Sequence, residues 1–296
     1  MPMQGKIIKG IAGFYYVYCE DGTLYECKAR GIFRSRGITP LVGDNVDISV
    51  TDIDACEGSI EDILPRSNSL IRPALANVDR ALIFFARNDP KPDMGLIDRL
   101  LITMERTGID SIVVFNKSDL DYDAAQDIRS EREGFEQAGY PVYEVCVRTG
   151  EGIEELKEAL LGHTTAIAGP SGAGKSSFIN RICPDADMKT GVISDKLGRG
   201  KHTTRHAEIL VIDENSFIVD TPGFTSYSID SLLPEELGEM YPEFAEYASE
   251  CRFSGCSHTH EPGCRVAAAA EAGEISPLRY NRYKRFYEEL KRVRRY

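Results

Sequence analysis

The sequence predicts a multidomain chain: a small β-barrel of the OB type over residues 1–72, an α/β domain over 73–230 and a mainly helical, metal-binding segment over 231–296. Three observations predict it. Short alternating segments broken by turn formers fill the first seventy residues, apolar runs alternate with amphipathic stretches from about residue 76, and a Cys/His knot followed by a basic tail closes the sequence. Of the 296 residues, 42% are hydrophobic and 28% charged, the balance of soluble globular protein with room for two or three domains. No apolar run approaches the ~20 residues that cross a bilayer, and the opening MPMQGKIIKG lacks a signal-peptide core. A cytoplasmic, reducing location is expected. Eight cysteines are too sparse for a disulfide scaffold, so clustered ones point to metal.

In the first segment, KIIKGIAG, FYYVYCEDG, TLYECKARG, DNVDISV and GSIEDIL are short strands, and Glu20-Asp21-Gly22 is a hairpin signal. Five such strands suit a small closed barrel, and composition alone leaves an SH3-like barrel equally open. In the second segment, ALIFFA, SIVVFN, PVYEVCV, TTAIAG and SFIVD have buried-strand length, with helical stretches such as GLIDRLLITMER and GIEELKEALLG between them. That alternation predicts a mostly parallel sheet covered by helices.

The α/β segment carries three motifs at strand ends. Gly169, Pro170, Ser171, Gly172, Ala173, Gly174, Lys175 and Ser176 satisfy GxxxxGK[ST] between a strand and the helix-like KSSFINRI, which continues at Ser177. Glycines let the backbone turn so that its N–H groups face phosphates at a helix N-terminus. Lys175 is expected on the β- and γ-phosphates and Ser176 on Mg²⁺. Asp220 to Gly223, in the run FIVDTPG, forms DxxG, whose Asp can hold a magnesium-bound water and whose Gly N–H can face the γ-phosphate. Asn116, Lys117, Ser118 and Asp119 form NKxD, the GTPase signature. The Asp119 carboxylate accepts from N1–H and the 2-amino group of guanine, whereas adenine offers an acceptor there, a mismatch that costs several kcal/mol. Cys146, Val147, Arg148, Thr149 and Gly150 occupy the place of the loop that supports guanine, with Val147 where alanine is usual.

The order of these motifs is rotated. An ordinary GTPase has its phosphate loop first and NKxD late; here NKSD begins at 116, the phosphate loop at 169 and DxxG at 220. Sites at strand ends keep their spatial arrangement when chain termini are rejoined, so the segment is read as a circularly permuted GTPase domain.

Barrel, permuted GTPase domain and Cys251-x4-Cys256-x-His258-x5-Cys264 together resemble the small ribosomal subunit biogenesis GTPase A family over essentially the whole chain. The resemblance implies an OB-type domain, a permuted GTPase domain and a zinc domain, and GTP hydrolysis stimulated by the small ribosomal subunit in its late maturation. It implies GTP/GDP, Mg²⁺ and Zn²⁺ as cofactors, the small subunit and ribosomal RNA as partners, and Cys251, Cys256, His258 and Cys264 as zinc ligands. The chemistry agrees, since three thiolates and one imidazole complete a closed, structural tetrahedral site. Unligated cysteines remain the alternative, and His260 competes with His258 for the histidine position.

Between the phosphate loop and DxxG lies Gly198-Arg199-Gly200-Lys201-His202-Thr203-Thr204-Arg205, glycine-rich and basic. By position and resemblance one threonine closes over Mg²⁺, with Thr204 favoured over Thr203. Phe224 stands where many small GTPases carry the glutamine that orients water, and a phenyl ring cannot do that. His202 is the candidate replacement, against the reading of an ordinary loop histidine that contacts RNA.

The net charge of -12 argues against nucleic acid only until it is located: most of the excess acid belongs to the middle segment. Arg279, Arg282, Lys284, Arg285, Lys291, Arg292, Arg294 and Arg295 make a basic tail, and Lys28, Arg30, Arg34 and Arg36 a second cluster. Tyr280, Tyr283, Phe286 and Tyr287 are interleaved in the tail, either for stacking on RNA bases or as the packed face of a helix. A monomer is expected. The competing functions are an RNA-binding assembly module in which nucleotide only stabilises a conformation, a phosphate-loop ATPase or kinase, and a zinc-dependent enzyme.

Overall fold

A computed structural model describes residues 3–35, 37–71, 74–120, 128–183, 208–220 and 228–293. The chain forms two compact units: Met1–Arg80 with Glu154–Ile167 and Lys175–Phe224, and Ala81–Ile153 with Ala168–Gly174 and Thr225–Tyr296.

In the first unit, β1 (Met3–Ile11), β2 (Phe14–Cys19), β3 (Leu24–Ala29), β4 (Asn45–Asp52) and β5 (Glu57–Ile63) close into a barrel of order β1-β2-β3-β5-β4, with the short helix α1 (Gly31–Ser35) after β3. All five expected strands form. Pairing of Met3 with Ile48 and of Gly5 with Val46 closes the ring, and β3–β5 is its parallel pair. A barrel this small is filled by side chains, here Ile7, Val17, Tyr25, Val46, Ile48 and Ile60. Asp21 builds the expected hairpin turn by accepting from Thr23 N at 2.9 Å. A hairpin of β6 (Ser69–Ile71) and β7 (Ala74–Ala76) follows, too short to give a sequence signal.

The α/β part supplies β8 (Arg80–Ala86), β9 (Asp110–Asn116), β10 (Val142–Val145), β11 (Thr164–Ala168), β12 (Glu208–Asp213) and β13 (Ser216–Asp220). They form one sheet in the order β10-β9-β8-β11-β13-β12. β10 runs parallel to β9 and β11 to β13, and β12 is antiparallel to β13. Strands buried on both faces read as continuous apolar runs, which is why ALIFFA and SIVVFN were legible. β11, the strand before the glycine-rich turn, is fourth of the domain, as the rotated motif order requires.

Among the described residues this part has the helices α2 (Met94–Thr107), α3 (Ile128–Gln137), α4 (Ile153–Glu158) and α5 (Lys175–Ile182). α2 is capped by Asp93, whose side chain accepts from Leu96 N, and stopped by left-handed Gly108. It buries Ile97, Leu100, Leu101 and Met104 at helical spacing. In the first unit β12 and β13 lie against the barrel, where Lys9 Nζ meets Glu208 Oε1 at 2.8 Å and Phe217 packs edge-on to Tyr18.

The C-terminal part begins with two 3-10 turns (Pro234–Met240 and Pro242–Phe244), followed by α6 (Ala245–Ala248), α7 (Arg265–Ala272) and α8 (Pro277–Val293). One apolar cluster joins Ile102 of α2 to Leu237, Tyr241, Phe244, Val266, Tyr283, Phe286 and Leu290. This decides between the two readings of the tail aromatics: Tyr280, Tyr283, Phe286 and Tyr287 are buried and pack a helix, so they are not a stacking platform. The basic tail is corrected with them. Arg279 donates to Asp98 Oδ1 at 2.5 Å and to Glu243 Oε1 at 2.6 Å, while Arg282 donates to Asp98 Oδ2 and, at 2.7 Å, to Glu131 Oε1. Both arginines are buried and spent on acids from α2, α3 and the second 3-10 turn. Arg285 and Arg292 are the exposed cations of α8. Arg36, Arg294, Arg295 and the side chain of Arg34 lie outside the described residues. No helix among the described residues is long and apolar enough to cross a membrane.

Candidate functional site

The phosphate-loop sequence forms a turn between a buried strand and a helix. β11 ends at Ala168, Gly169 to Gly174 turn, and α5 starts at Lys175. Two of the glycines are obligatory. A Cβ on Gly169 would stand 2.0 Å from the Phe84 carbonyl oxygen, and one on Gly174, at φ +99°, 2.3 Å from Asn116 Nδ2. Pro170 and Lys175 are half-buried, Ala173 is buried, and Ser171, Gly172, Ser176 and Ser177 are exposed, so the helix start is open to a ligand.

Asn116 is the joint of the site. It is the last residue of β9 and is buried; its Nδ2 donates to the Ala173 carbonyl at 2.8 Å, and its Oδ1 accepts from Val147 N at 3.1 Å. One side chain thus connects NKSD, the phosphate loop and the 146–150 loop, which are 57 and 31 positions apart from it in the chain. Lys117, in the left-handed region at φ 65°, donates its ammonium to the Asp89 carbonyl. Asp119 Oδ1 accepts from the Cys146 thiol at 3.0 Å, and Oδ2 from Arg148 Nη2 at 2.7 Å. The thiol bond first, and then the guanidinium, hold the Asp119 carboxyl below the usual carboxylate range. It is therefore an acceptor at neutral pH, the form that guanine recognition needs.

Sequence reasoning overlooked two contributors here. Arg148 was read only as part of a loop, and the segment around Asp89 and Pro90, which reaches both Lys117 and Gly172, was not singled out. The clustered prolines of Asp89-Pro90-Lys91-Pro92 were the available signal. Asp220 ends β13, which runs parallel to β11 with Thr164 opposite Phe217 and Ala166 opposite Val219. The Asp220 side chain, Gly223, Phe224, His202, Thr203 and Thr204 lie outside the described residues.

The Cys/His knot assembles a four-atom cluster. Ligand atoms of Cys251, Cys256, His258 and Cys264 all lie within 4.8 Å of one another. His258 Nδ1 is 3.6 Å from Cys251 Sγ and 3.5 Å from Cys264 Sγ, and those two sulfurs are 4.0 Å apart. Tetrahedral zinc with bonds near ~2.3 Å to sulfur and ~2.0 Å to nitrogen requires edges of roughly 3.5–3.8 Å, so the donor set fits that ion. Backbone N–H groups of Arg265 and Ala267 point at Cys251 and Cys264 sulfurs, both at 3.4 Å. Burial, with neighbouring thiols adding to it, pushes the Cys256 thiol up to about 12.

The rest of the knot fixes its backbone. Tyr280 OH donates to the His258 carbonyl at 2.8 Å, Tyr283 OH to the Ser257 carbonyl at 2.6 Å, and Glu261 accepts from Ser257 N at 2.9 Å. His260 Nδ1 instead faces Thr259 Oγ1 at 2.7 Å, and His258 is the histidine that lies in the cluster.

Comparison with known proteins agrees with this geometry. The RsgA GTPase family model matches residues 63–230, and the RsgA N-terminal domain model residues 4–60. The "Small ribosomal subunit biogenesis GTPase RsgA" of Agathobacter rectalis is 51% identical, covering 99% of this chain and 100% of that protein. The protein of the same name from Geobacillus thermodenitrificans is 43% identical over 97% of each. Among solved structures, YjeQ from Thermotoga maritima superposes with a TM-score of 0.82 at 36% identity, covering 98% of this chain and 99% of that one. YloQ, described as a circularly permuted GTPase, gives 0.80 at 36% identity, covering 98% and 96%. With its barrel, its rotated nucleotide motifs and its Cys3His cluster, the chain belongs to the RsgA GTPase family.

Proposed function

We propose that this chain hydrolyses GTP to GDP and phosphate in the late maturation of the small ribosomal subunit, with the subunit stimulating turnover. Membership of the GTPase family supports the hydrolase reading, and the names of its relatives supply the ribosomal role. The observation that carries it is the hydrogen bond from Asn116 Nδ2 to the Ala173 carbonyl, which fastens a base-reading motif to a phosphate loop 57 positions downstream.

In this reading Asp119 accepts from the guanine edge, supported by Cys146 and Val147, with the Lys117 stem against the base. The N–H groups of Gly169 to Gly174 and the start of α5 hold the phosphates, and Lys175 neutralises charge on the β- and γ-oxygens. Ser176, Asp220 and Thr204 would hold Mg²⁺, which when bound offsets the charge that builds on the phosphates. Gly223 is assigned to the γ-phosphate and His202 to the attacking water, both by sequence position. Cys251, Cys256, His258 and Cys264 would hold zinc in a closed, structural role. The domain boundaries follow the sequence: a barrel over 1–72, GTPase domain over 73–230 and zinc domain over 231–296. The barrel supplies the ribosomal RNA contacts, and the cytoplasm is the place of action.

The test is GTP hydrolysis with and without purified small subunits. Slow intrinsic turnover that rises strongly with subunits, and disappears in Lys175→Ala, is expected. Turnover indifferent to subunits would leave an assembly module in which nucleotide only stabilises a conformation. A preference for ATP in competition would sink the guanine assignment.

A further inference from the structure

The carboxylate assigned to guanine already has donors from the protein itself. Arg148 donates to Asp119 Oδ2 from Nη2 at 2.7 Å and from Nε at 3.2 Å, and Cys146 donates to Oδ1 at 3.0 Å. Two N–H groups fill the two lone-pair directions of Oδ2. Guanine addresses the same carboxylate with N1–H and the 2-amino group, one donor for each oxygen. Its N1–C2–N2 edge is itself a guanidine unit, the group that Arg148 carries.

We propose that Arg148 is a built-in competitor for the guanine base, a guanidinium that occupies Asp119 and must be exchanged for the nucleotide. This rests on the assignment of Asp119 to the base. Burial separates the two donors into a fixed one and a mobile one. Cys146 is buried beneath the carboxylate and stays. The Arg148 side chain is 77% exposed while that of Asp119 is 19% exposed, so the guanidinium approaches from the solvent side and can leave into water. Guanine then takes over Oδ2 from Arg148 and shares Oδ1 with the thiol.

The exchange draws its magnitude from the exposure. A solvent-facing ion pair shifts an equilibrium by a factor of about two to five, and a partner occupied for part of the time lowers apparent affinity by that factor. GTP and GDP present the same base, so both are affected alike. The arm thereby keeps nucleotide exchange easy without touching the phosphates.

The measurement is the Kd for GDP of the full chain carrying Arg148→Ala or Arg148→Gln, repeated on an Asp119→Asn background with xanthosine diphosphate. Both substitutions are expected to tighten GDP binding about two- to fivefold, with the difference from the parent shrinking as salt is added. On the Asp119→Asn background neither should change xanthosine diphosphate binding appreciably, because the carboxylate charge that holds the guanidinium is gone. Weaker or unchanged GDP binding in Arg148→Ala would overturn the competitor, since the side chain would then be a nucleotide contact or a bystander. Equal tightening on both backgrounds would overturn it too. If Asp119→Asn alone retains full preference for guanine over xanthine, the base assignment itself fails, an outcome distinct from failure of the competitor.

Discussion

Removing the side chain of Asn116 tests whether one buried amide holds the nucleotide site together. Asn116→Ala deletes the donor to the Ala173 carbonyl, which is fully buried, and the acceptor for Val147 N. Leaving a buried carbonyl without its donor costs about 1–3 kcal/mol. At about 2 kcal/mol, spent on displacing the phosphate loop from the base motif, GTP and GDP should bind roughly thirtyfold more weakly. Asn116→Asp is the sharper variant. It keeps an acceptor for Val147 but turns a second oxygen toward the Ala173 carbonyl, so repulsion replaces the lost bond and the damage should exceed that of alanine. The chain has no tryptophan, which makes a fluorescent GDP analogue the natural reporter, with far-UV circular dichroism to verify folding. A folded Asn116→Ala that keeps its GDP affinity within about twofold would refute the reasoning, because the two loops would then be held by something else.

Arg279→Met should destabilise the chain by about 3–5 kcal/mol in denaturant unfolding, since Glu243 would be left buried without its cation; a loss below about 1 kcal/mol would contradict the network. Asp98→Asn should cost less, because Arg279 and Arg282 keep Glu243 and Glu131. Metal analysis should find one zinc ion per chain, retained in His260→Ala and lost in Cys264→Ser with a lowered thermal midpoint; undiminished zinc in Cys264→Ser would remove that cysteine from the ligand set. Burial alone would raise the Glu261 carboxyl, but hydrogen bonds from Ser257 and neighbouring N–H groups outweigh it and hold the group well below the usual range. Its contribution is therefore present above the ordinary carboxylate range and fades as pH falls, so Glu261→Gln should lose less stability than the parent between about pH 5 and about pH 3. Parallel losses would show that the carboxylate does not organise the knot.

Much of the site was legible because it sits at strand ends, where an apolar run stops and a motif begins. β9, β11 and β13 announced themselves in this way, and the motif order alone exposed the permutation. What the sequence hid were pairings between distant segments. Arg279 and Arg282 look like tail charge because their acids, Asp98 and Glu131, stand 181 and 151 positions upstream. The spacing of Tyr280, Tyr283 and Tyr287 suits a packed helix and an exposed stacking face equally, and only the partner surface decides. α3 escaped because IRSEREGFEQ carries few apolar residues, of which Ile128 and Phe135 are buried. β12 escaped because it is an edge strand with only Ile209 buried. Arg148 was visible, but nothing in a linear motif says that a guanidinium will turn back onto a carboxylate 29 positions earlier.

The long reach of α8 sets an order of events during synthesis. The barrel completes its pairings within its first sixty-three residues, so it can form while the ribosome is still translating the remainder. The helix α2, made soon after, must wait for α8 before Asp98 and Arg99 meet Arg279 and Glu289. A nascent chain halted before Pro277 would hold Asp98, Glu131 and Glu243 without their arginines and stay open to protease. Synthesis of α8 is thus the event that supplies the arginines of this core.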